Sequence, residues 1–160
     1  ATVYGDSETP LIEIALGLKM NMGIGSMLGE LSFGYYKNTG TSGSTLTLKP
    51  LTIGVTFNLD RLFDEPYVVP YAGGGIYSVF YNETLATQTV GGNTSIGIYG
   101  VGGVLFQLDW LDKDTAIGGY EENGIVSSFI YVEGRLLAFA DQRADLSAPL
   151  QLAGGMKLEF

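Results

Sequence analysis

The chain contains no cysteine and no histidine. The first absence excludes disulfides and thiolate metal sites. The second removes the commonest general base and metal ligand near neutral pH. Proline is scarce, at 5 of 160 residues. Charged residues make up 16%, against about 25% in an ordinary soluble domain. No apolar run approaches the ~20 residues of a membrane helix. Basic charge is also short. Eight Lys and Arg against 17 Asp and Glu leave a net charge of −9, which excludes the basic footprint of a nucleic-acid binder. Glycine is plentiful at 24 residues, and aromatics reach 12%. Mean hydropathy is +0.22. High hydropathy without a long apolar run arises when apolar residues are spread over alternate positions. The length suits one domain, residues 1–160. The start at Ala1 reads as a mature or trimmed product.

Alternation is clearest from Leu11 to Met22. Ile12, Ile14, Leu16, Leu18, Met20 and Met22 fall on one face, and Glu13, Ala15, Gly17, Lys19 and Asn21 on the other. A helix would scatter those residues around its circumference, so this is a strand. Gly23-Ile-Gly25 predicts a tight turn. A second strand, over about 26–36, sets Met27, Leu31, Phe33 and Tyr35 against Glu30, Ser32 and Gly34. A third, over 45–58, changes phase at Pro50-Leu51, where a bulge or strand end is expected because proline cannot donate to a ladder. In the fourth, over 67–81, Val69, Tyr71, Tyr77, Val79 and Tyr81 share a face with Gly73 and Gly75.

A fifth strand, over 94–108, has an ambiguous phase. Residues 109–124 break the pattern with an acidic cluster and a short helix expected over 110–117. A sixth strand, over 125–139, sets Val126, Ile130, Val132 and Leu136 against Tyr131, Glu133 and Arg135. The last, over 150–160, sets Leu150, Leu152, Met156, Leu158 and Phe160 against Gln151, Ala153, Gly155, Lys157 and Glu159. Residues 1–9 hold a short strand signal at Thr2, Val3 and Tyr4. Seven strands are clear. Single-chain bacterial barrels have even strand numbers, so the expected fold is all-β, an up-and-down antiparallel transmembrane β-barrel of eight strands, the first short or partly missing.

A soluble barrel also alternates. Residue size discriminates here: one face carries Leu, Ile, Met, Phe and Tyr, while the other is mostly small with a few ions. Small residues suit the narrow interior of an eight-stranded barrel, and a soluble exterior would need many more charges. The inward set then includes Glu13, Lys19, Glu30, Glu133, Arg135, Lys157 and Glu159. Buried charges must be paired, so a plugged, ion-paired lumen is expected, with cross-strand pairs between Glu133/Arg135 and Lys157/Glu159. Tyr35, Tyr71, Tyr81 and Phe160 are candidates for interfacial aromatic girdles.

The segments Pro70-Tyr-Ala-Gly-Gly-Gly75, Tyr131-Val-Glu-Gly-Arg135 and Gly155-Met-Lys-Leu-Glu-Phe160 resemble the small outer-membrane β-barrel domains of the OmpA, OmpX and OmpW kind, over about residues 10–160. The resemblance implies the outer membrane of a Gram-negative bacterium, with membrane lipid and the barrel-assembly machinery as partners. It implies Phe160 as the assembly signal and periplasmic ends for both termini. Loops 38–44, 82–93 and 141–148 would face outward; 23–25, 60–66 and 109–124 would face the periplasm.

The last of these is long for a periplasmic turn. Its Asp109, Trp110, Asp112, Asp114, Glu121 and Glu122 are a candidate docking segment for another envelope protein. No EF-hand spacing is present there, and no metal or cofactor is expected. Gly73–Gly75 and Gly100–Gly103 precede no helix and no Lys-Ser/Thr, so they are strand glycines rather than phosphate loops. Barrel enzymes of this size rely on histidine, so no enzyme is expected. Two functions stand: a structural or interaction barrel with a filled lumen, and an OmpW-like small channel for small hydrophobic solutes or weak ion conduction.

Overall fold

The structure, a computed structural model, describes residues 10–40, 43–61, 67–85, 88–111, 113–138 and 150–160. It is all-β apart from one helix. The elements are β1 (Ile12–Asn21), β2 (Ser26–Thr39), β3 (Thr45–Asn58), β4 (Val68–Leu85), β5 (Gln88–Asn93), β6 (Gly97–Gln107), α1 (Lys113–Asn123), β7 (Ser127–Ala138) and β8 (Leu150–Glu159). They form one antiparallel sheet in the order β1-β2-β3-β4-β6-β7-β8, with β5 pairing β4. Each strand on this path pairs with its sequence neighbour, which is up-and-down topology. The sheet curls until Lys19 on β1 and Glu159 on β8 touch across the interior, at 2.8 Å.

The expected seven strands are the seven on the path. The eighth in the count is β5, a continuation of β6 along β4. Tyr77 pairs Gly97 but Phe80 pairs Asn93, so two β4 residues face three on the other side. That is a one-residue bulge. Thr94 holds it: its N–H donates to the Val79 carbonyl at 2.9 Å and its hydroxyl accepts from the Val79 N–H at 3.0 Å. The bulge explains the unreadable phase of this stretch. Beyond it, Tyr99, Val101 and Leu105 face inward and Ile98 and Phe106 outward. The strand signal at residues 1–9 lies outside the described residues. Since neighbours alternate in direction along the path, β1 and β8 run the same way, and no pairing joins them among the described residues.

The break expected at Pro50 is absent. Strand β3 runs through it. Pairing with β2 lapses only between Phe33↔Leu51 and Tyr36↔Leu48, then resumes in the same register. What changes at Pro50 is the apolar phase: Leu46 and Leu48 face inward, and Leu51, Ile53, Val55 and Phe57 outward.

The outward face is oily along most of the sheet, but beyond Pro50 it turns polar, with Thr45, Thr47 and Lys49 on β3 and Lys37 on β2. Ile14 is 72% exposed, Leu18 82%, Leu152 79% and Met156 70%. The interior has an apolar floor at the end where β4 and β7 begin, made by Val69, Leu105 and Phe129 with Tyr71 and Tyr131 packed on it. The helix α1 starts and ends later than the expected 110–117.

Candidate functional site: a charged lumen

All seven charged residues expected inside lie on inward-facing positions, half-buried or buried. They are brought together in two clusters. In the first, the Arg135 guanidinium on β7 donates from Nη1 to Glu13 Oε2 at 2.8 Å and from Nη2 to Glu13 Oε1 at 3.0 Å. Its Nε donates to Glu133 Oε1 at 2.6 Å. The other Glu133 oxygen accepts the Tyr71 hydroxyl at 2.5 Å. This is a two-pronged pair of the kind that gives arginine–carboxylate contacts their directionality. Gly103 makes it possible. A Cβ there would lie 2.8 Å from both the Tyr71 ring and the Glu133 Cβ.

In the second cluster, Lys19 Nζ contacts Glu159 Oε2 and Asp60 Oδ2, each at 2.8 Å. The Ser26 hydroxyl donates to Asp60 Oδ2 at 2.6 Å, and Asn58 donates to Ser26 at 3.2 Å. Burial pushes the Asp60 carboxyl up, but hydrogen bonds from Lys19 and Ser26 outweigh it, and the group sits below the usual carboxylate range. The cluster ties β1, β2, β8 and the β3–β4 turn at one end of the sheet.

Three expectations change. Glu133/Arg135 do not pair with Lys157/Glu159. The register sets Glu133 opposite Ala153 and Arg135 opposite Gln151, with Lys157 opposite Phe129, so the two charged pairs sit at different levels. Arg135 and Glu159 instead take partners from β1 across the lumen, Glu13 and Lys19. Tyr71 is not a girdle residue, because alternation from Val69 and Tyr77 turns it inward. Tyr81 shares that inward face and lies over Gly92. Tyr35 and Phe160 do face outward, at 45% and 80% exposure.

Of the acidic docking segment, Asp109 is internally engaged. It accepts from the Ser128 hydroxyl at 2.6 Å, from Ser128 N–H at 3.1 Å and from Gln107 at 3.0 Å. Burial raises its carboxyl, but the Ser128 and Gln107 bonds hold it below the usual range. It therefore pins the end of β6 to the start of β7. Trp110 is half exposed and meets the Tyr67 ring edge-on at 5.4 Å. Asp114, Glu121 and Glu122 are exposed on α1. Asp112 lies outside the described residues.

Asp60 and Tyr71 were missed as lumen groups. Tyr71 was recoverable from its shared face with Gly73 and Gly75. Asp60 was not, because its partner Lys19 lies far away in sequence. The interior holds a cavity of about 980 Å³, lined by both clusters and reaching the apolar edges of β1 and β8 at Leu16, Leu18 and Met156.

The architecture is that of an up-and-down antiparallel β-barrel sheet with an ion-paired interior and an apolar outer face. The chain matches no protein-family model, no curated protein and no solved structure.

Proposed function

We propose that the protein is an integral outer-membrane β-barrel of a Gram-negative bacterium, with a plugged, ion-paired lumen, acting as a structural or interaction protein. The observation that carries this reading is the pairing of faces: large exposed apolar residues outside, ion pairs inside. Six of the seven strands on the path have 10 to 14 residues. At ~3.3 Å per residue and tilted ~45° they project to roughly 23–33 Å, about the thickness of a bilayer core. The 18-residue β4 extends past them to pair β5. The two clusters cross the lumen at different levels, which supports a plug over a wide aqueous pore. The segment after β6 is the proposed docking face. Trp110, Leu111, Ile117 and Tyr120 are exposed there beside Glu121 and Glu122, chemistry suited to another envelope protein. No catalysis is involved.

A second reading, a small passage for hydrophobic solutes, is favoured by one observation: the cavity reaches the apolar edges of β1 and β8. Planar-bilayer conductance of the folded protein separates the two. Silence beside a lipid-only control is expected from the plug. Steady discrete openings would replace it with the passage.

A further inference from the structure

Of the seven charges on inward strand positions, two belong to neither cluster. Glu30 on β2 and Lys157 on β8 face the cavity, and neither takes part in the lumen's ion pairs. Each lies within electrostatic reach of the other, Lys157 also of Glu159 and Glu30 also of Arg135, yet among the described residues neither makes a direct ion pair. Their relative height follows from the strands. The Lys19–Glu159 pair sets β1 level with β8. Two residues earlier on each strand are Gly17 and Lys157, and Gly17 pairs Glu30. Glu30 and Lys157 therefore sit at one level, with Gly17 between them.

Gly17 has no side chain of its own, and the inward Leu28 side chain of β2 lies over it, with Leu28 Cδ1 2.8 Å from where a Cβ would sit; the open volume lies further into the cavity. The neighbouring inward positions on the two edge strands are also small: Ala15, Ala153 and Gly155. In the two clusters every acid has a hydrogen-bonded base or hydroxyl. Here an acid and a base are held apart, facing open volume beside the Tyr99 and Tyr131 rings. Unpaired charges at partly buried positions are costly unless something bridges them.

We propose that Glu30 and Lys157 bind a small zwitterion, whose ammonium group is taken by Glu30 and whose acidic oxyanion is taken by Lys157. A single ion would satisfy one residue and leave the other unpaired. A linear molecule with charges at opposite ends satisfies both. An ω-amino acid has this chemistry, and so does a phosphoethanolamine headgroup. The proposal rests on the lumen geometry and not on the membrane that holds the barrel.

The test uses the full chain folded in detergent micelles, with its β content checked by circular dichroism and its folded state by heat-dependent gel mobility. Binding of 4-aminobutanoate is measured by ligand-observed NMR, beside butanoate and butylamine. The expected result is saturable binding of the zwitterion, with each singly charged relative at least tenfold weaker. Glu30→Gln and Lys157→Gln are each expected to weaken zwitterion binding at least tenfold. Neither residue has an ion-pair partner to orphan, so both variants are expected to fold.

Absence of saturable binding to the folded wild-type barrel would overturn the proposal. So would butylamine or butanoate binding as tightly as the zwitterion, or binding that survives both substitutions. Micelles doped with a phosphoethanolamine-headed lipid then identify the source. Displacement of 4-aminobutanoate supports the site as a headgroup site, and no displacement supports it as a site for a dissolved solute. An unfolded preparation, seen by circular dichroism, would indict the barrel itself rather than the site.

Discussion

Arg135 on β7 and Glu13 on β1 form a two-pronged ion pair across the lumen, at 2.8 and 3.0 Å. They are not sheet neighbours: β8 ends the sheet on one side and β1 on the other. The pair therefore braces the curvature of the sheet in a way that backbone hydrogen bonds do not.

Removing Arg135 should be expensive. Arg135→Ala leaves Glu13 and Glu133 as two facing carboxylates with no cation, and breaking a buried pair on one side costs about 3–5 kcal/mol. The side chains are 7–16% exposed, so the low end of that range is expected. The double variant Arg135→Met with Glu13→Gln should lose less than Arg135→Ala alone. Urea unfolding midpoints in lipid or detergent check both. An unchanged midpoint for Arg135→Ala would remove the brace from the account.

Gly103 is expected to be intolerant. Gly103→Ala puts a methyl 2.8 Å from the Tyr71 ring and the Glu133 Cβ. Tyr71 must then move off Glu133, at a cost of about 1–3 kcal/mol for the overpacking. Gly118 on α1, where a Cβ meets nothing within 4 Å, is the matched control. Its Ala variant should unfold at or above the wild-type midpoint. The two variants are compared by thermal or urea unfolding, and equal midpoints would contradict the packing argument.

Acid should loosen the turn end of the sheet. Asp60 and Asp109 are both held below the ordinary aspartate range in the folded state, by Lys19 and Ser26 and by Ser128 and Gln107. A depressed carboxylate contributes stability that is full above its unfolded pKa and is lost as pH falls through the folded one. The loss is therefore expected below about pH 4, with none between pH 5 and 8. Asp60→Asn and Asp109→Asn should each flatten the acid limb of a stability-versus-pH curve. An acid limb unchanged in both variants would show that other groups control it.

A charge placed on the outer belt should hurt far more than a small polar group placed inside. Leu18→Arg puts a cation on the most exposed apolar position of β1, where midplane charges on barrel exteriors cost about 2–4 kcal/mol. Folding yield into lipid vesicles, read as the heat-modifiable gel species, should fall steeply. The inward Ala153→Ser should fold like the wild type. Equal yields would argue for a soluble sheet.

Much of the fold was legible because β1 and β8 keep strict alternation between one oily and one small or ionic face, and β2 and β7 keep it along most of their length, with Leu28 and Phe129 turned inward. That pattern has only one strand reading. It failed where the apolar phase and the backbone register part company. At Pro50 the apolar residues change sides while the strand continues. At Thr94–Ile96 the register slips by one residue with no proline or charge to mark it. The inward charges were likewise readable from alternation, but their partners were not. Pairing depends on register, and Lys157 lands opposite Phe129 rather than near Arg135. Tyr71 was misplaced because aromatic residues suit both a membrane rim and a lumen wall.

The central claim is that the oily face of the strands meets lipid and the opposite face lines the lumen. The chain has no cysteine, so single cysteines at Leu16, Leu152, Ala15 and Ala153 accept a spin label without background. The measurement is collision accessibility in lipid vesicles, to molecular oxygen and to a water-soluble nickel chelate. The account predicts strict alternation: oxygen contact dominates at Leu16 and Leu152, and shielding from oxygen at Ala15 and Ala153. Nickel contact dominating at Leu16 and Leu152 would place the oily face in water and contradict the account.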